Sequence, residues 1–232
     1  MKFVQKWLPV YIKAWIQLIW YHRDIYPRET FQWTKYHAFN LPNHIPVNIH
    51  PDLQQYLDDL CDDLLDKIKQ VHYLNLYICE CDDETNIIER YCLDFGDVNH
   101  LDKMEGVINQ EDIVFDEFRS SLYSLLAYLE KLPLLRPGKY TFDIVIETVE
   151  MSLGHVSNEN MNRTKESIAA LERDWNWVKY RDSSKDFSGG TETQQQRVKM
   201  YSLNGCDLNS LVFHQFAERV IENNPDISAS IE

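Results

Sequence analysis

The chain has 232 residues, with 23 Lys and Arg against 37 Asp and Glu, a formal net charge of −14 at pH 7. Its 44% hydrophobic content, with 6 Trp, 13 Tyr and 10 Phe, can fill a single-domain core and excludes wholesale disorder, while 7 Gly and 8 Pro exclude collagen-like or low-complexity chains and argue against glycine-rich phosphate loops. The shortage of Lys and Arg argues against autonomous nucleic-acid binding, and five Cys without framework spacing suit reduced thiols in the cytosol or nucleus.

The amino-terminal run from Phe3 to Tyr21 has the apolar look of a membrane anchor, but Lys6 and Lys13 interrupt it and no small-residue cleavage site follows. At 100° per residue, Lys6, Lys13, Gln17 and Asp24 fall within about 20° of one line, and Lys2 within about 40°. The rest of the circumference is apolar: Trp7, Leu8, Val10, Tyr11, Ile12, Trp15, Ile16, Leu18, Ile19 and Trp20. Such a helix should be the buried centre of the domain, its polar stripe showing through a gap. Pro9 either begins the regular helix or kinks it. His22 ends it, Tyr26-Pro27 stops it, and residues 27 to 51 read as irregular, with Pro42, Pro46 and Pro51.

A second helix is predicted from Pro51 to Gln70, with His50 as its cap. Leu53, Leu57, Leu60, Leu64, Ile68 and Val71 form its core stripe, and Asp58, Asp59, Asp62, Asp63 and Asp66 its solvated face. Tyr56 sits at the edge of the apolar stripe. Strands follow at Val71 to Cys81 and Ile87 to Phe95, joined by a turn over residues 82–86. A third helix from Glu111 to Leu132 presents Phe115, Phe118, Leu122, Leu125, Leu126 and Leu129, and Pro133 and Pro137 end it. Tyr140 to Val149 reads as a third strand. Together these give an α+β domain, helices packed on one face of a mainly antiparallel sheet.

The last third is different. Residues 152–173 are polar, with a helical tract around Thr164 to Arg173. Trp175 to Tyr180 is a short aromatic strand, and Ser183 to Gln196 a polar, Gly-containing stretch. Arg197 to Leu203 and Leu208 to Val220 return to strand patterning, and the last ten residues read as a loose tail. Two β segments therefore follow a finished body, tethered to it by flexible chain.

Motifs for catalysis are absent: there is no Walker loop, dinucleotide fingerprint, His-Glu-x-x-His or nucleophile elbow. Cys79, Cys81 and Cys92 are the nearest approach to a metal cluster, without a second thiol pair or a His at ligand spacing, and read as ordinary strand cysteines. The paired aspartates of the second helix face water, where no raised pKa is available for acid-base work. Asn162-Arg163-Thr164 is a glycosylation sequon without meaning in a reducing compartment. A hydrolase or metal enzyme is argued only by these carboxylates and thiols; no catalytic residue, metal or cofactor is expected.

Several ungapped runs carry a resemblance. Tyr21-His22-Arg23-Asp24-Ile25-Tyr26-Pro27, His50-Pro51-Asp52-Leu53-Gln54-Gln55-Tyr56, Val114-Phe115-Asp116-Glu117-Phe118-Arg119-Ser120-Ser121-Leu122, Leu129-Glu130-Lys131-Leu132-Pro133, Glu172-Arg173-Asp174-Trp175-Asn176-Trp177-Val178-Lys179 and His214-Gln215-Phe216 resemble the HORMA-domain accessory subunits of translesion DNA polymerase zeta, in their yeast-like form. The resemblance implies a HORMA domain over residues 1–222, a mobile safety belt over about 152–220, and a flexible tail at 223–232. It implies a nuclear, non-catalytic adaptor in error-prone bypass of damaged DNA. Beneath its belt it would trap a Pro-containing peptide of the polymerase's catalytic subunit as an added strand. It would also bridge to an inserter polymerase of the deoxycytidyl transferase type, without direct nucleic-acid or membrane contact. The alternative is a HORMA adaptor of the spindle-checkpoint or meiotic-axis type with a different client.

By residue type, Tyr56 and Trp177 match the family's peptide-contacting aromatics, and a third, aliphatic contact falls at Met200 or Leu203. Tyr56 could equally be a core-edge tyrosine. Trp177 alternates with Trp175, so one of the two faces inward. The surface for the second polymerase falls at Phe213 and Gln215. A contact with a second copy falls on the third helix near Leu126, with Arg119 a neighbour.

Overall fold

The computed structural model describes residues 2–34, 45–68, 71–96, 111–148, 197–208 and 211–221. The predicted strand at Trp175 to Tyr180, the helical tract before it, the stretch to Gln196, the sequon and the tail lie outside these residues.

Helix α1, Lys2–His22, is the core. Leu8, Tyr11, Ile12, Ala14, Trp15, Ile16, Leu18, Ile19 and Trp20 are all buried. Pro9 lies inside it rather than at its start. The polar stripe does not simply open to solvent: Lys6, Lys13 and Gln17 are each answered by a different element. Lys6 Nζ reaches Glu111 at 2.8 Å, at the head of helix α3 (Glu111–Leu129). Lys13 pairs with Asp58 of helix α2 (Pro51–Lys67). Gln17, itself buried, accepts the backbone N–H of Asn48 at 2.8 Å. The stripe is thus the set of sockets into which the neighbouring elements plug.

The segment expected to be irregular contains a 3-10 turn at Arg28–Thr30 and a two-stranded antiparallel hairpin, β1 (Phe31–Thr34) with β2 (Ile45–Asn48). Pro46 masked the second strand in the sequence, yet a two-stranded ribbon is all edge, where a missing N–H costs little. His50 holds the cap position of α2 but makes no side-chain capping bond. Asn48 takes over the junction: its Oδ1 accepts the His50 N–H at 2.9 Å, and its carbonyl accepts from Gln54.

The matched run after α1 resolves residue by residue. Asp24 has a positive φ of 50°, and the Ile25 N–H closes back on Trp20 O at 3.0 Å, the Schellman way of ending a helix. Arg23 is completely buried. Its Nε and Nη2 hold Glu89 at 2.8 and 2.7 Å, and its Nη1 donates to Pro133 O at 2.7 Å. Beside it, burial pulls the half-buried His22 imidazole below its ordinary range, with the charge of Glu130 opposing. The folded protein resists a proton that the unfolded chain accepts below about pH 6.5, so stability is expected to fall as the pH drops through that value. Denaturant midpoints measured on either side of it check this, and His22→Gln should flatten the difference.

The main sheet is antiparallel, in the order β5-β3-β4-β7-β6. It comprises β3 (Val71–Glu80), β4 (Asp83–Asp94), β5 (Tyr140–Thr148), β6 (Arg197–Asp207) and β7 (Val212–Ile221). The turn expected over residues 82–86 is shorter, because Glu80 pairs with Asp83 while Cys79 pairs with Ile87, leaving an irregular insertion within β4. One row across the sheet reads Ile144, Leu76, Tyr91, Ala217 and Tyr201, and faces the helices. The alternate row, Asp143, Tyr77, Arg90, Glu218 and Met200, faces away.

Strand β6 runs past its predicted end at Leu203 because its register shifts at Asn204 and Gly205. A Cβ at Gly205 would sit 2.1 Å from Phe213 O, so only glycine lets the two strands meet there. Among the described residues no helix is long and apolar enough to cross a membrane, and no group of three or more His, Cys, Asp or Glu is placed to hold a metal ion.

Candidate partner-peptide site

Among the described residues β5 pairs only with β3, so it is one edge of the main sheet. An edge strand presents main-chain groups with which another extended chain can pair. Beside this edge stands Tyr56. The core stripe of α2, Leu57, Leu60, Cys61 and Leu64, fixes the helix on α1, which brings Tyr56 to the rim with 40% of its surface exposed. Its ring lies 6.4 Å from that of Phe142 on β5. Phe142 in turn lies 4.8 Å from Trp20 and 6.1 Å from Tyr26, and Trp20 and Tyr26 meet edge to face at 5.3 Å. Four aromatic rings thus run from solvent at Tyr56 down to the buried Trp20.

Burial pushes the Tyr56 phenol up to about 12, and the charge of Asp143 and the neighbouring Tyr26 add to the shift. Burial also raises Tyr26. Both hydroxyls therefore stay protonated at physiological pH and can donate as well as accept. The wall is apolar with hydroxyl tips, a surface suited to prolyl and aliphatic side chains. Tyr56 was legible as a rim residue. Phe142, Tyr26 and Trp20 were not singled out, and their only sequence signal was the aromatic Tyr-Pro stop and the alternation along β5.

The other residues expected at the site do not gather here. Trp177 lies outside the described residues. Met200 is 63% exposed on the outward face of β6, while Leu203 is half-buried on the inward face against the core. Both sit on the opposite edge of the sheet from β5, four strand spacings or roughly 19 Å away. One extended peptide paired to β5 therefore cannot touch both edge strands.

The expectation that Phe213 and Gln215 offer their side chains to a second polymerase is corrected by their burial. They are 1% and 2% exposed and face the helices. Phe213 packs between Tyr11, Phe95 and Phe118. Gln215 closes a buried polar ring whose geometry sets its amide orientation. Its nitrogen donates to Ser121 Oγ at 2.8 Å and Asn204 O at 3.0 Å, and its oxygen accepts from Trp15 Nε1 at 2.9 Å. Tyr11 Oη meets the same Ser121 hydroxyl at 2.9 Å. These two residues clamp the β6–β7 hairpin to α1 and α3; what the hairpin turns outward is His214 and Phe216, on the opposite strand face.

On α3, Leu126 is buried, whereas Arg119 lies on the outer face, paired with Asp116 at 3.1 Å. Arg119, Ser120, Tyr123, Ser124 and Ala127, with Asn204 of β6, line a shallow open groove.

A model of the HORMA domain family matches residues 2–131. The chain is 40% identical over 228 residues, 97% of its own length and 91% of the relative's, to the DNA polymerase zeta processivity subunit of Saccharomyces cerevisiae. Among solved structures, a chain of the mitotic checkpoint complex superposes with a TM-score of 0.64 at 15% identity, covering 94% of this chain and 98% of that one. Caenorhabditis elegans HTP-2 bound to the HIM-3 closure motif gives 0.58 at 11% identity, covering 93% and 89%. C. elegans HTP-1 bound to the same motif also gives 0.58, at 13% identity, covering 94% and 91%. At these identities the structural likeness is one of fold.

Proposed function

The chain belongs to the HORMA domain family, and we propose that it is the non-catalytic accessory subunit of a DNA polymerase zeta, working in the nucleus in error-prone bypass of damaged DNA. The observation that carries this reading is the 40% identity across nearly the whole chain to a processivity subunit of that polymerase. The likeness to checkpoint and HTP chains is of fold alone and does not favour a different client.

The geometry supports a peptide-trapping mechanism. A Pro-containing segment of the catalytic subunit pairs with β5 as an added strand, its main chain supplying affinity and its apolar side chains entering the Tyr56–Phe142–Tyr26 wall. The belt, with Trp177, closes over it. Because β6 and β7 are fastened on the far side through β4, no strand among the described residues covers the β5 edge, where the guest adds. The outward side of the β6–β7 hairpin, with Met200, His214 and Phe216, is then the surface offered to an inserter polymerase of the deoxycytidyl transferase type. The Arg119–Tyr123 groove on α3 is the place for a second copy.

Co-expression with the Pro-containing segment should give a stable complex. Tyr56→Ala and Trp177→Ala should each weaken it by at least ~2 kcal/mol, the usual loss at a central aromatic anchor. Unchanged affinity in both variants, measured by calorimetry, would contradict the mechanism.

A further inference from the structure

Burying an indole N–H without an acceptor forfeits its hydration, so such atoms are nearly always paired. Trp20 breaks the rule. It is 0% exposed, and its Nε1 has no hydrogen-bond partner, the one such side-chain atom among the described residues. The other buried polar groups of α1, and Arg23 just past its end, are all answered: Tyr11 by Ser121, Trp15 by Gln215, Gln17 by Asn48 and Arg23 by Glu89. Loose packing of α1 therefore does not account for the exception. Its position does bear on function, because the Trp20 ring lies against Phe142 and Tyr26, the two rings that lead to Tyr56 and the β5 edge. Tyr26 meets it at an interplanar angle of 77° and can offer it no more than a π face, a weak acceptor.

We infer that the Trp20 indole N–H is a specificity donor for a main-chain carbonyl of the prolyl segment that pairs beside β5, an assignment that rests on the peptide-trapping reading above. Proline has no N–H, so the ladder between segment and edge strand is interrupted at that residue. The acceptor this orphans is a β5 carbonyl, and the break it makes in the ladder lets a neighbouring guest carbonyl leave the sheet plane and turn toward the aromatic wall. In the free protein the donor is covered, so docking of the segment must uncover it. A guest whose carbonyls all stay in the ladder forgoes this bond and binds correspondingly more weakly.

The test uses the full-length protein and the Pro-containing segment of the catalytic subunit. Trp20→Phe keeps an aromatic ring and deletes the donor; it should raise Kd about tenfold, the value of one hydrogen bond to a desolvated partner. In the wild-type protein the Trp20 indole N–H resonance should move downfield on binding and its hydrogen exchange should slow. That second readout decides the matter even if the variant fails to fold. Unchanged affinity in a folded Trp20→Phe variant, or an indole resonance that ignores saturating segment, overturns the inference while leaving peptide trapping intact. Absence of any binding by the wild-type protein overturns both.

Discussion

Replacing Arg23 by methionine is expected to destabilise the protein by about 3–5 kcal/mol, because it strands a buried carboxylate. Glu89 is 2% exposed and takes both of its strong contacts from the Arg23 fork, while Tyr91 donates to its Oε2 at 2.8 Å. Arg219, the other cation nearby, stands 3.6 Å away and partly in water, too far to replace a bidentate pair. Lysine would serve poorly too. One ammonium cannot hold both carboxylate oxygens and the Pro133 carbonyl in the planar arrangement a guanidinium provides. The double variant Arg23→Met/Glu89→Leu should recover much of the loss, since two apolar groups replace a matched pair more cheaply than one unmatched charge remains. Urea unfolding of wild type, both single variants and the double variant gives the coupling. Equal losses in the Arg23 variant and the double variant would show that the pair is not the unit of stability.

The second large effect is expected at Phe213→Ala, a loss of about 3–5 kcal/mol from a cavity between α1, α3 and the sheet. Hydrogen exchange should localise it. Amides of β6 and β7 should lose protection before those of β3 and β4, because Phe213 and the Gln215 ring are what pin the hairpin to the helices. His214→Ala and Phe216→Ala, on the outward face, should leave stability much closer to wild type. The comparison separates a core role for Phe213 from a contact role. A Phe213→Ala variant with native stability would place that side chain at a surface after all.

How much of this was legible in the sequence depended on the range of the interactions involved. Burial of α1 around all but one polar line was legible, because 3.6-residue periodicity is local, but that line meets neighbouring elements rather than an open gap. That Lys6, Lys13 and Gln17 serve three different neighbours depends on contacts up to 105 residues away and has no local signature. Tyr56 was legible as a rim residue for the same local reason, whereas its partner Phe142 lies on a strand that reaches α2 only through the tertiary fold. The β7 pattern was misleading. Phe213, Gln215 and Ala217 alternate with His214, Phe216 and Glu218, so each face carries one phenylalanine and at least one polar residue, and period-two alternation does not say which is inward. Burial of Gln215 became affordable only through Ser121 and Trp15, which no spacing rule connects. Strand order was invisible too, and it separates Met200 and Leu203 from Tyr56 by the width of the sheet.

The pairing of β7 with β4 joins residues 89–94 to residues 214–219, so this seam depends on contacts between distant parts of the chain. Contacts of high sequence separation slow folding, and this one cannot begin until the carboxyl-terminal segment exists. During synthesis, β3 and β4 can form their hairpin early, and the β4 flank then waits roughly 6–25 s for its neighbour to be translated. Throughout that interval a nascent chain presents the β4 flank as an additional unpaired strand edge, on which stray pairing can begin before β7 arrives.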